Sequence, residues 1–437
     1  MRDVLIVTRN FAPTSHVSVE RAMKLVKYLP EFGWRPSVLT GARATAGLPE
    51  DPALASQVAG AEVIRSRAPE FSRFYGGSSN GRRRGKAAGE SIVRRGVLHP
   101  KAWLIPDSQA LWYPFAVRAA TRRARAGRWD VVVGTCFPPT AILIAHTIAA
   151  RLGVPYVADF RDSWTNYHYA PRRPAPLAEL ERRLEARMIR DAAAVVAVDA
   201  HIVDYAFSRV AVADRPPMYV IPNGYDEDDF RGTAPAALPA FSIVHTGRLR
   251  RSPRPLWQGL AAALRERPDL GGGLHFWQVG VVDASAAGDL EHPPEGVTVH
   301  QVPPVSQREA VGYMLGADLL LVEEFGSIFP SKGLQYLRAS RPILALVDRG
   351  RSMRHVLQQM PQASLVDRRD PARIAAEVIR LASGPRVPLR GPSEVVEAYS
   401  RREIARRFAA VLDGAHARVG VPRSAGHERL RSARSRS

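Results

Sequence analysis

The feature that most constrains the fold is a repeated alternation of short, continuously apolar runs with segments of helical periodicity. Residues 4–8 form one such run, and after a turn region apolar side chains recur at helical spacing over residues 18–29. A second run at 36–40 completes a strand–helix–strand unit. Because these runs are apolar at successive rather than alternate positions, they predict parallel strands that are covered on both faces. The sequence therefore predicts an α/β fold.

The alternation occurs twice, on either side of a break at residues 220–226. The break contains Pro222-Asn223-Gly224, which is strong turn punctuation. Before it, the predicted strands are 4–8, 36–40, 130–134, 154–160 and 193–198, and the predicted helices are 18–29, 141–152 and 177–190. After it, the predicted strands are 241–245, 274–279, 297–301, 317–322 and 343–347, and the predicted helices are 255–264, 308–315 and 332–340. We expect two Rossmann-like domains that face each other across a cleft, with ligands at the carboxyl ends of their strands.

The predicted domain boundaries follow from this break and from the C-terminal sequence. Residues 1–222 form the first domain and residues 223–394 the second. An amphipathic helix within 395–413 is expected to pack back on the first domain. Residues 414–437 are basic and rich in Ser, Ala and Gly, a composition that predicts a disordered tail.

Composition excludes several classes of protein. The single cysteine, Cys136, rules out a disulfide framework and any multi-cysteine metal site. No apolar run reaches the ~18 residues of a membrane-spanning helix, and the N-terminal run is shorter than the roughly 7–15 apolar residues of a secretory signal. These features predict a cytoplasmic protein.

The chain is strongly basic, with 62 Lys and Arg residues, 42 Asp and Glu residues and a formal net charge of +20. A GC-rich genome and an anionic partner are equally good explanations of the preference for arginine. Much of the local excess lies in residues 73–95, which form either a solvated loop or a segment that docks on the inner face of an anionic membrane. We expect no nucleic-acid partner, because the basic clusters lack interleaved aromatic residues and no nucleic-acid motif is present.

Two sequences in the second half are candidate anion sites. Ser331, Lys332 and Gly333 begin a helix after a strand and a loop, so free backbone N–H groups and the helix dipole would favour an anion there. An ordinary helix start with a solvated lysine is the alternative interpretation. Gly247 and Arg248 follow another strand, and a glycine beside an arginine suits close approach to a diphosphate.

A third candidate follows the predicted strand 154–160 in the first half. Asp159, Arg161 and Asp162 lie at its carboxyl end, where catalytic and binding residues of α/β folds collect. A structural Arg–Asp pair is the alternative. The chain lacks the glycine-rich dinucleotide fingerprint, the P-loop, the zincin motif and the serine-hydrolase elbow.

Several motifs occur together in an order that is typical of one family. They are Lys27-Tyr28-Leu29-Pro30 with Gly33-Trp34, and the segments 159–164, 221–224, 246–248, 330–332 and 399–402. Over residues 1–413 the chain resembles the GT-B glycosyltransferases of family four, which are retaining enzymes that use nucleotide sugars. The resemblance implies that the second domain binds the donor and the first domain binds the acceptor.

The resemblance assigns the donor site residue by residue. Arg248 and Lys332 would hold the diphosphate, with Gly247, Ser331 and Gly333 beside it. Arg254 or Arg251 would replace a second phosphate-binding lysine, whose place Pro253 takes. Ser327 and Gln335 occupy the positions of the first and second glutamates of the family's E-x7-E motif. Gln335 is therefore assigned to the donor ribose, and Glu323 or Glu324 is expected to substitute for the first glutamate.

The resemblance assigns the first domain to the acceptor and to catalysis. Arg161 stands where many relatives have a histidine near the transferred sugar, and Asp162 follows it, so these two are the predicted catalytic residues. His16, Arg21 and Asp159 are the predicted acceptor contacts. Positive side chains at the leaving diphosphate would make a metal unnecessary, and no resident cofactor is expected beside a co-substrate such as a UDP- or GDP-sugar.

The predicted function is a retaining glycosyltransferase that extends a glycan or a lipid-linked acceptor in cell-surface polysaccharide synthesis. Because the E-x7-E carboxylates are missing, a catalytically degenerate protein of the same fold is an alternative interpretation. A nucleotide-sugar 2-epimerase is a further alternative, although its set of acidic and histidine residues is not found. A nucleic-acid-binding protein is the least favoured interpretation.

Overall fold

The computed structural model describes residues 1–45, 48, 50–69, 103–166, 173–323, 331–347, 356–358, 360–384 and 393–418. Segment 73–95, Glu324 and Ser327, which carry sequence predictions, lie outside these residues, as does the tail beyond residue 418. The chain divides into two compact units, one comprising Met1–Pro222 and Ala405–Ser437 and the other Asn223–Ile404. Each unit contains a parallel sheet, as the continuous apolar runs predict.

The first unit is built on a seven-stranded sheet. Its strands are β1 (Arg2–Val7), β2 (Trp34–Gly41), β3 (Glu62–Ser66), β4 (Val131–Cys136), β5 (Tyr156–Phe160), β6 (Ala194–Ala197) and β7 (Met218–Val220). They lie in the order β3-β2-β1-β4-β5-β6-β7, and every neighbouring pair is parallel. Because β1 is central, its apolar residues are fully buried, with Ile6 paired to Val38 on one side and to Val133 on the other.

Helices of the first unit cover this sheet. They are α1 (Val17–Tyr28), α2 (Ala53–Ser56), α3 (Tyr113–Arg123), α4 (Thr140–Leu152), α5 (Ala175–Arg190) and α6 (Ala200–Phe207). The helix predicted at 18–29 has the expected length but lies one residue earlier, at Val17–Tyr28, and a 3-10 turn, Leu29–Phe32, follows it. Parallel pairing of β1, β4 and β5 places the loops that follow them along one edge of the sheet.

The second unit is built on a six-stranded parallel sheet. Its strands are β8 (Phe241–Thr246), β9 (Leu274–Val279), β10 (Val297–Val302), β11 (Leu319–Glu323), β12 (Ile343–Val347) and β13 (Ala363–Asp367), in the order β10-β9-β8-β11-β12-β13. Its helices are α7 (Glu227–Phe230), α8 (Arg254–Glu266), α9 (Ala284–Leu290), α10 (Gln307–Gly316), α11 (Ser331–Ala339), α12 (Pro371–Ala382) and α13 (Glu394–Glu397). Apolar clusters lie on both faces of the sheet, since Leu320 and Leu321 belong to different clusters.

The terminal helix α14 (Arg401–Ala417) extends four residues into the segment predicted as a tail. Within the first unit its Asp413 accepts a hydrogen bond from Trp34 Nε1 at 2.9 Å and pairs with Arg2 at 2.5 Å. Phe408 and Leu412 of the same helix are fully buried. The apolar face that the sequence shows at 401–412 is therefore a packing face.

The Pro-Asn-Gly break requires its glycine. A side chain at Gly224 would collide with the carbonyl oxygen of Tyr399, because the two segments run side by side within the second unit. Tyr225 N–H donates to Tyr399 O at 3.1 Å, and Arg401 N–H donates to Tyr225 O at 2.7 Å. The turn punctuation of the sequence thus corresponds to a tightly packed crossing of two backbones.

Candidate functional site

The strongest candidate site lies at the carboxyl ends of β8 and β9 in the second unit. Gly247 follows β8 with φ +90°, and Gly280 follows β9 with φ +126°, conformations that favour glycine. The two glycines pack against each other, and a side chain at Gly280 would overlap the Gly247 backbone. Because neither glycine carries a side chain, a ligand can approach the backbone at these strand ends closely, as a phosphate-binding turn requires.

Lys332 reaches this turn from the first residues of α11. Its Nζ contacts His245 Nε2 and lies 3.3 Å from the carbonyl oxygen of Thr246. The pKa of Lys332 is lowered to about 8, mainly by burial and to a lesser extent by the charge of Arg250, while the charge of Glu323 opposes the shift. Thus, Lys332 is a half-buried cation at the N-terminus of a helix, where the dipole also favours an anion.

A chain of hydrogen bonds fixes the protonation of His245. Gln278 donates its Nε2–H to Gly247 O at 2.9 Å, so its Oε1 must face His245 Nδ1, which lies 2.6 Å away. Nδ1 therefore carries the proton, and Nε2 offers a lone pair to the Lys332 ammonium. Burial and the adjacent Lys332 hold the pKa of His245 well below its usual value. The imidazole is neutral and orients the lysine.

Tyr336 fixes the end of β8 against the same helix. Its hydroxyl oxygen accepts a hydrogen bond from Thr246 N–H at 2.8 Å and lies 3.2 Å from Thr246 Oγ1. It follows Lys332 by four residues, and so occupies the same face of α11. Burial raises the pKa of Tyr336 to about 12, which keeps it a neutral hydroxyl.

The arginines predicted for the donor are exposed and paired with carboxylates. Arg248 Nη1 lies 2.5 Å from Asp283 Oδ1, and Arg254 Nη2 lies 2.6 Å from Asp289 Oδ1. The side chain of Arg248 is 51% exposed. Both arginines can therefore exchange a carboxylate for a ligand at small cost, since exposed ion pairs contribute about 0–1 kcal/mol.

The remaining predicted donor residues are only partly described. Ser331 and Gly333 form the first turn of α11 with Lys332, and Gln335 is half-buried on that helix. The structure therefore brings Gly247, Lys332 and Gly333 to one strand–helix junction. Sequence reasoning missed His245, Gln278 and Tyr336, although a histidine directly before the Thr-Gly-Arg turn was a visible signal.

In the first unit, Arg21 and Asp159 form a buried ion pair. The Arg21 guanidinium donates to both carboxylate oxygens of Asp159 at 2.8–3.1 Å, and the two side chains are 2% and 1% exposed. Arg21 also donates to Pro222 O at 3.0 Å, and Thr135 Oγ1 donates to Asp159 at 3.0 Å. The buried pair fastens α1 to β5, and contact of these two residues with an acceptor stays a prediction.

His16 also has a local structural role. Its Nδ1 accepts a hydrogen bond from Ser18 N–H at 3.2 Å and lies 2.8 Å from Ser18 Oγ. It therefore caps the N-terminus of α1, with the side chain doing what Ser, Thr or Asp does more often. The capping explains the helix start directly after the loop that follows β1.

Arg161 and Asp162 lie at the carboxyl edge of the first sheet. Arg161 donates to the carbonyl oxygens of Ser18 and Phe137, the latter at 3.1 Å, and its side chain is 11% exposed. Asp162 lies 3.5 Å from the Arg161 guanidinium and is 29% exposed. Arg161 therefore connects the first turn of α1 with the loops that follow β4 and β5, and Asp162 is the more accessible side chain of the two.

A buried acid that sequence reasoning missed supports this loop. Glu185 of α5 accepts a hydrogen bond from Thr165 Oγ1 at 2.5 Å and is 2% exposed. Burial raises the pKa of Glu185 to about 7, although both hydrogen bonds from Thr165 oppose the shift. Nothing in the charged pattern of α5 distinguished Glu185 from its exposed neighbours.

The described residues contain no group of three or more His, Cys, Asp or Glu side chains that could hold a metal ion. Among the same residues, no helix combines the length and the apolar character that crossing a bilayer requires.

Comparisons with known proteins agree with the fold and the motifs. Residues 18–224 match the glycosyl transferase 4-like domain family. The whole chain is similar to sucrose-phosphate synthase from Thermosynechococcus elongatus, with TM-score 0.55, 13% identity and complete coverage of both chains. An α,α-trehalose-phosphate synthase (UDP-forming) from Burkholderia vietnamiensis gives TM-score 0.60 and 12% identity, over 95% of this chain and 99% of that one.

A third similar structure holds a ligand. It is described as trehalose-6-phosphate from E. coli bound with UDP-2-fluoro glucose, and matches with TM-score 0.52 and 12% identity over 95% of this chain and 96% of that one. A search of curated protein sequences finds no match. At these identities the solved structures establish the fold alone.

Proposed function

We propose that the chain is a GT-B glycosyltransferase, since residues 18–224 match the glycosyl transferase 4-like domain family, and that it transfers a sugar from a nucleotide diphosphate donor to a glycan or lipid-linked acceptor. The observation that carries this proposal is the junction of Gly247, Lys332 and the N-terminus of α11. It combines an open backbone turn, a half-buried ammonium and a helix dipole at one point.

This junction suits the charge that develops during transfer. When the bond between sugar and diphosphate breaks, negative charge grows on the leaving diphosphate. A cation and backbone N–H groups that are already in place stabilise that charge without reorganisation. Lys332 and α11 would supply this stabilisation, and Arg248 would join them by exchanging Asp283 for a phosphate oxygen.

The finer parts of the proposal concern stereochemistry, metal and acceptor. We propose that transfer retains the anomeric configuration and needs no divalent metal, because Lys332 and Arg248 supply the positive charge at the diphosphate. Among the sequence-predicted groups of the first unit, Asp162 is the accessible carboxylate and Arg161 orders the loops around it. The proposed acceptor is part of cell-surface polysaccharide synthesis on the cytoplasmic face of the membrane.

The test is a calorimetric titration with UDP, GDP and ADP and their glucose conjugates. The wild type is compared with Lys332→Ala and with the matched control Lys24→Ala, a lysine of the first unit that donates to Gln57. We expect one nucleotide to bind, at least a tenfold loss of affinity in Lys332→Ala, and no change in the control. Equal affinities in the two variants, or no binding of any nucleotide, would contradict the proposed donor site.

Transfer itself is tested with the nucleotide sugar that binds, carrying a radiolabelled sugar, and a glycolipid extract as acceptor. Label in the lipid fraction, undiminished by EDTA, supports a metal-independent transferase, and NMR of the new linkage reports retention. Nucleotide binding with no transfer to glycan or lipid would instead favour the alternative of a catalytically degenerate protein, which the glutamine at position 335 suggests.

A further inference from the structure

Strand β10 lies at one edge of the sheet in the second unit. The strand order is β10-β9-β8-β11-β12-β13, so within this sheet β10 pairs with β9 on one side and has an open edge on the other. An open edge presents backbone N–H and C=O groups that can pair with another strand. Proteins usually protect such edges with charged side chains, prolines or very short strands.

The other three edges of the two described sheets have this protection. β3 carries Glu62 and Arg65, β7 has 3 residues, and β13 ends in Asp367. β10 has 6 residues with the sequence VTVHQV, which contains no charged side chain, glycine or proline. β10 is therefore the edge that is built to accept another strand.

The backbone of β10 turns two central residues toward the open edge. The carbonyl oxygen of Val302 accepts a hydrogen bond from Gly280 N–H at 2.8 Å, so Val302 faces β9. Successive residues of a strand direct their backbone groups to opposite edges. Val299 and Gln301 therefore direct their N–H and C=O groups away from β9, and the side chain of Gln301 is exposed.

A second copy of the chain fits these groups in an antiparallel register. A two-fold axis at His300 places Val299 of each copy opposite Gln301 of the other. The two residues of such a pair exchange both of their N–H···O bonds. His300 then lies opposite its own counterpart, in a non-hydrogen-bonded pair. Burial and the adjacent His275 lower the pKa of His300, so two neutral imidazoles meet there at pH 7.

The charge of the chain favours a second copy over an acidic partner at this edge. An acidic partner would be attracted to clusters of arginine, and β10 carries no positive charge. Two copies with a formal net charge of +20 repel each other at long range. An uncharged strand is where they can approach at the lowest electrostatic cost.

We propose that the chain forms a two-fold symmetric dimer by antiparallel pairing of β10, which joins the six-stranded sheets of two copies into one continuous sheet. The contact uses the same residues on both copies and therefore closes on itself, leaving no further β10 edge for a third copy. The proposal is independent of the proposed transferase function, because it involves neither Lys332 nor the turn at Gly247.

Oxidative cross-linking of the full chain with diamide tests the register. His300→Cys brings two thiols together, since the Cα atoms of a non-hydrogen-bonded pair lie about 4.5 Å apart, a distance that a disulfide spans. Thr298→Cys is the matched control, because Thr298 lies opposite Val302 and roughly 14 Å from its own counterpart. The native thiol of Cys136 is buried.

We expect a disulfide-linked dimer of His300→Cys on a non-reducing gel, and a monomer of Thr298→Cys. Equal cross-linking of the two variants, or no cross-linking of His300→Cys, overturns the proposed register.

Sedimentation velocity tests the dimer without cysteine variants. Gln301→Pro removes an N–H group that the contact needs, whereas Gln301→Thr keeps that group at the same exposed position. We expect dimerisation to weaken about tenfold or more in Gln301→Pro and to change less than about twofold in Gln301→Thr. Melting temperatures near the wild-type value confirm that the variants fold.

Salt separates the proposed dimer from association driven by opposite charges. Raising the salt from about 50 to about 300 mM should strengthen the wild-type dimer, because it screens the repulsion between two basic chains. A dimer that salt dissociates, a wild type that stays monomeric, or equal dimerisation of Gln301→Pro and Gln301→Thr overturns the proposal.

Discussion

The carboxyl edges of the two sheets use their charged residues in opposite ways. In the first unit, Arg21 and Asp159 neutralise each other in the interior, 2% and 1% exposed. In the second unit, Lys332 is half-buried, and its contacts at the turn are with a neutral imidazole and a backbone carbonyl. The difference teaches that a charged residue at a strand end is a candidate for ligand binding only when its charge has not been neutralised by the fold.

The largest effect is expected from breaking the pair in the first unit. Asp159→Asn leaves the Arg21 guanidinium buried opposite a neutral amide, and removal of one partner of a buried pair costs about 3–5 kcal/mol. We expect the free energy of unfolding in urea to fall by that amount. Asp162→Asn is the matched control, because its carboxylate is 29% exposed and should cost under about 1 kcal/mol. Similar losses in the two variants would show that the buried pair is not what fastens α1 to β5.

The second-largest effect concerns Glu185, which accepts a hydrogen bond from Thr165 in the loop that contains Arg161 and Asp162. Its pKa is raised from 4.5 to about 7 by burial, so the folded state holds a proton that the unfolded state releases. Wild-type stability should therefore decline as the pH rises from 4.5 to 7, and stay reduced above 7. Glu185→Gln should remove this decline and gain roughly 2 kcal/mol over the wild type at pH 8.

The check is urea unfolding of both proteins between pH 4.5 and 8. Glu62→Gln, in the same unit, is the control, since Glu62 lies at the surface and pairs with Arg123. A constant difference between wild type and Glu185→Gln across this range would mean that Glu185 is ionised in both states and that its burial has another explanation.

A third prediction sharpens the comparison through the charge of Lys332. Burial lowers the pKa of Lys332 to about 8, and the protonated form is the one that attracts a diphosphate. Affinity for the nucleotide should be at its maximum below pH 8 and fall about tenfold between pH 7 and pH 9, because each pH unit above the pKa removes a further tenfold of the charged form. Calorimetry at three pH values measures this decline.

Lys332→Arg is the control for the pH experiment, since a guanidinium remains charged over this range. Its affinity should vary little between pH 7 and pH 9, whatever its absolute value. An equal decline in the wild type and in Lys332→Arg would assign the pH dependence to another group.

The sequence predicts the central strands well, but it misses three of the four edge strands. β1, β4 and β12 are largely buried, and each contains a continuous apolar run. The missed strands β3, β7 and β13 lie at sheet edges. Their partial exposure permits polar residues, so they lack the continuous apolar run that predicts a buried strand. An edge strand is defined by its neighbour, and that neighbour is not visible in the local sequence.

The site divides in the same way. Gly247 and Lys332 could be found because a strand end and a helix start are local signals. His245 and Gln278 could not be assigned, because their role depends on a hydrogen bond between two strands that are 33 residues apart. The pairing of Asp159 with Arg21 could not be predicted for the same reason, since the two residues lie 138 positions apart.

The smallest effect should come from the ion pair of Arg248 and Asp283, which tests whether that pair resembles the one in the first unit. Its members are 51% and 33% exposed, so Asp283→Asn should change the free energy of unfolding by less than about 1 kcal/mol. If Asp283 competes with the diphosphate for Arg248, the variant should bind the nucleotide a few-fold more tightly. Asp289→Asn removes the carboxylate that pairs with Arg254 instead, and its affinity for the nucleotide shows whether this second arginine also contacts the ligand. If Asp283→Asn lowers the free energy of unfolding without raising the affinity for the nucleotide, Arg248 resembles Arg21, as a cation that the fold has already neutralised.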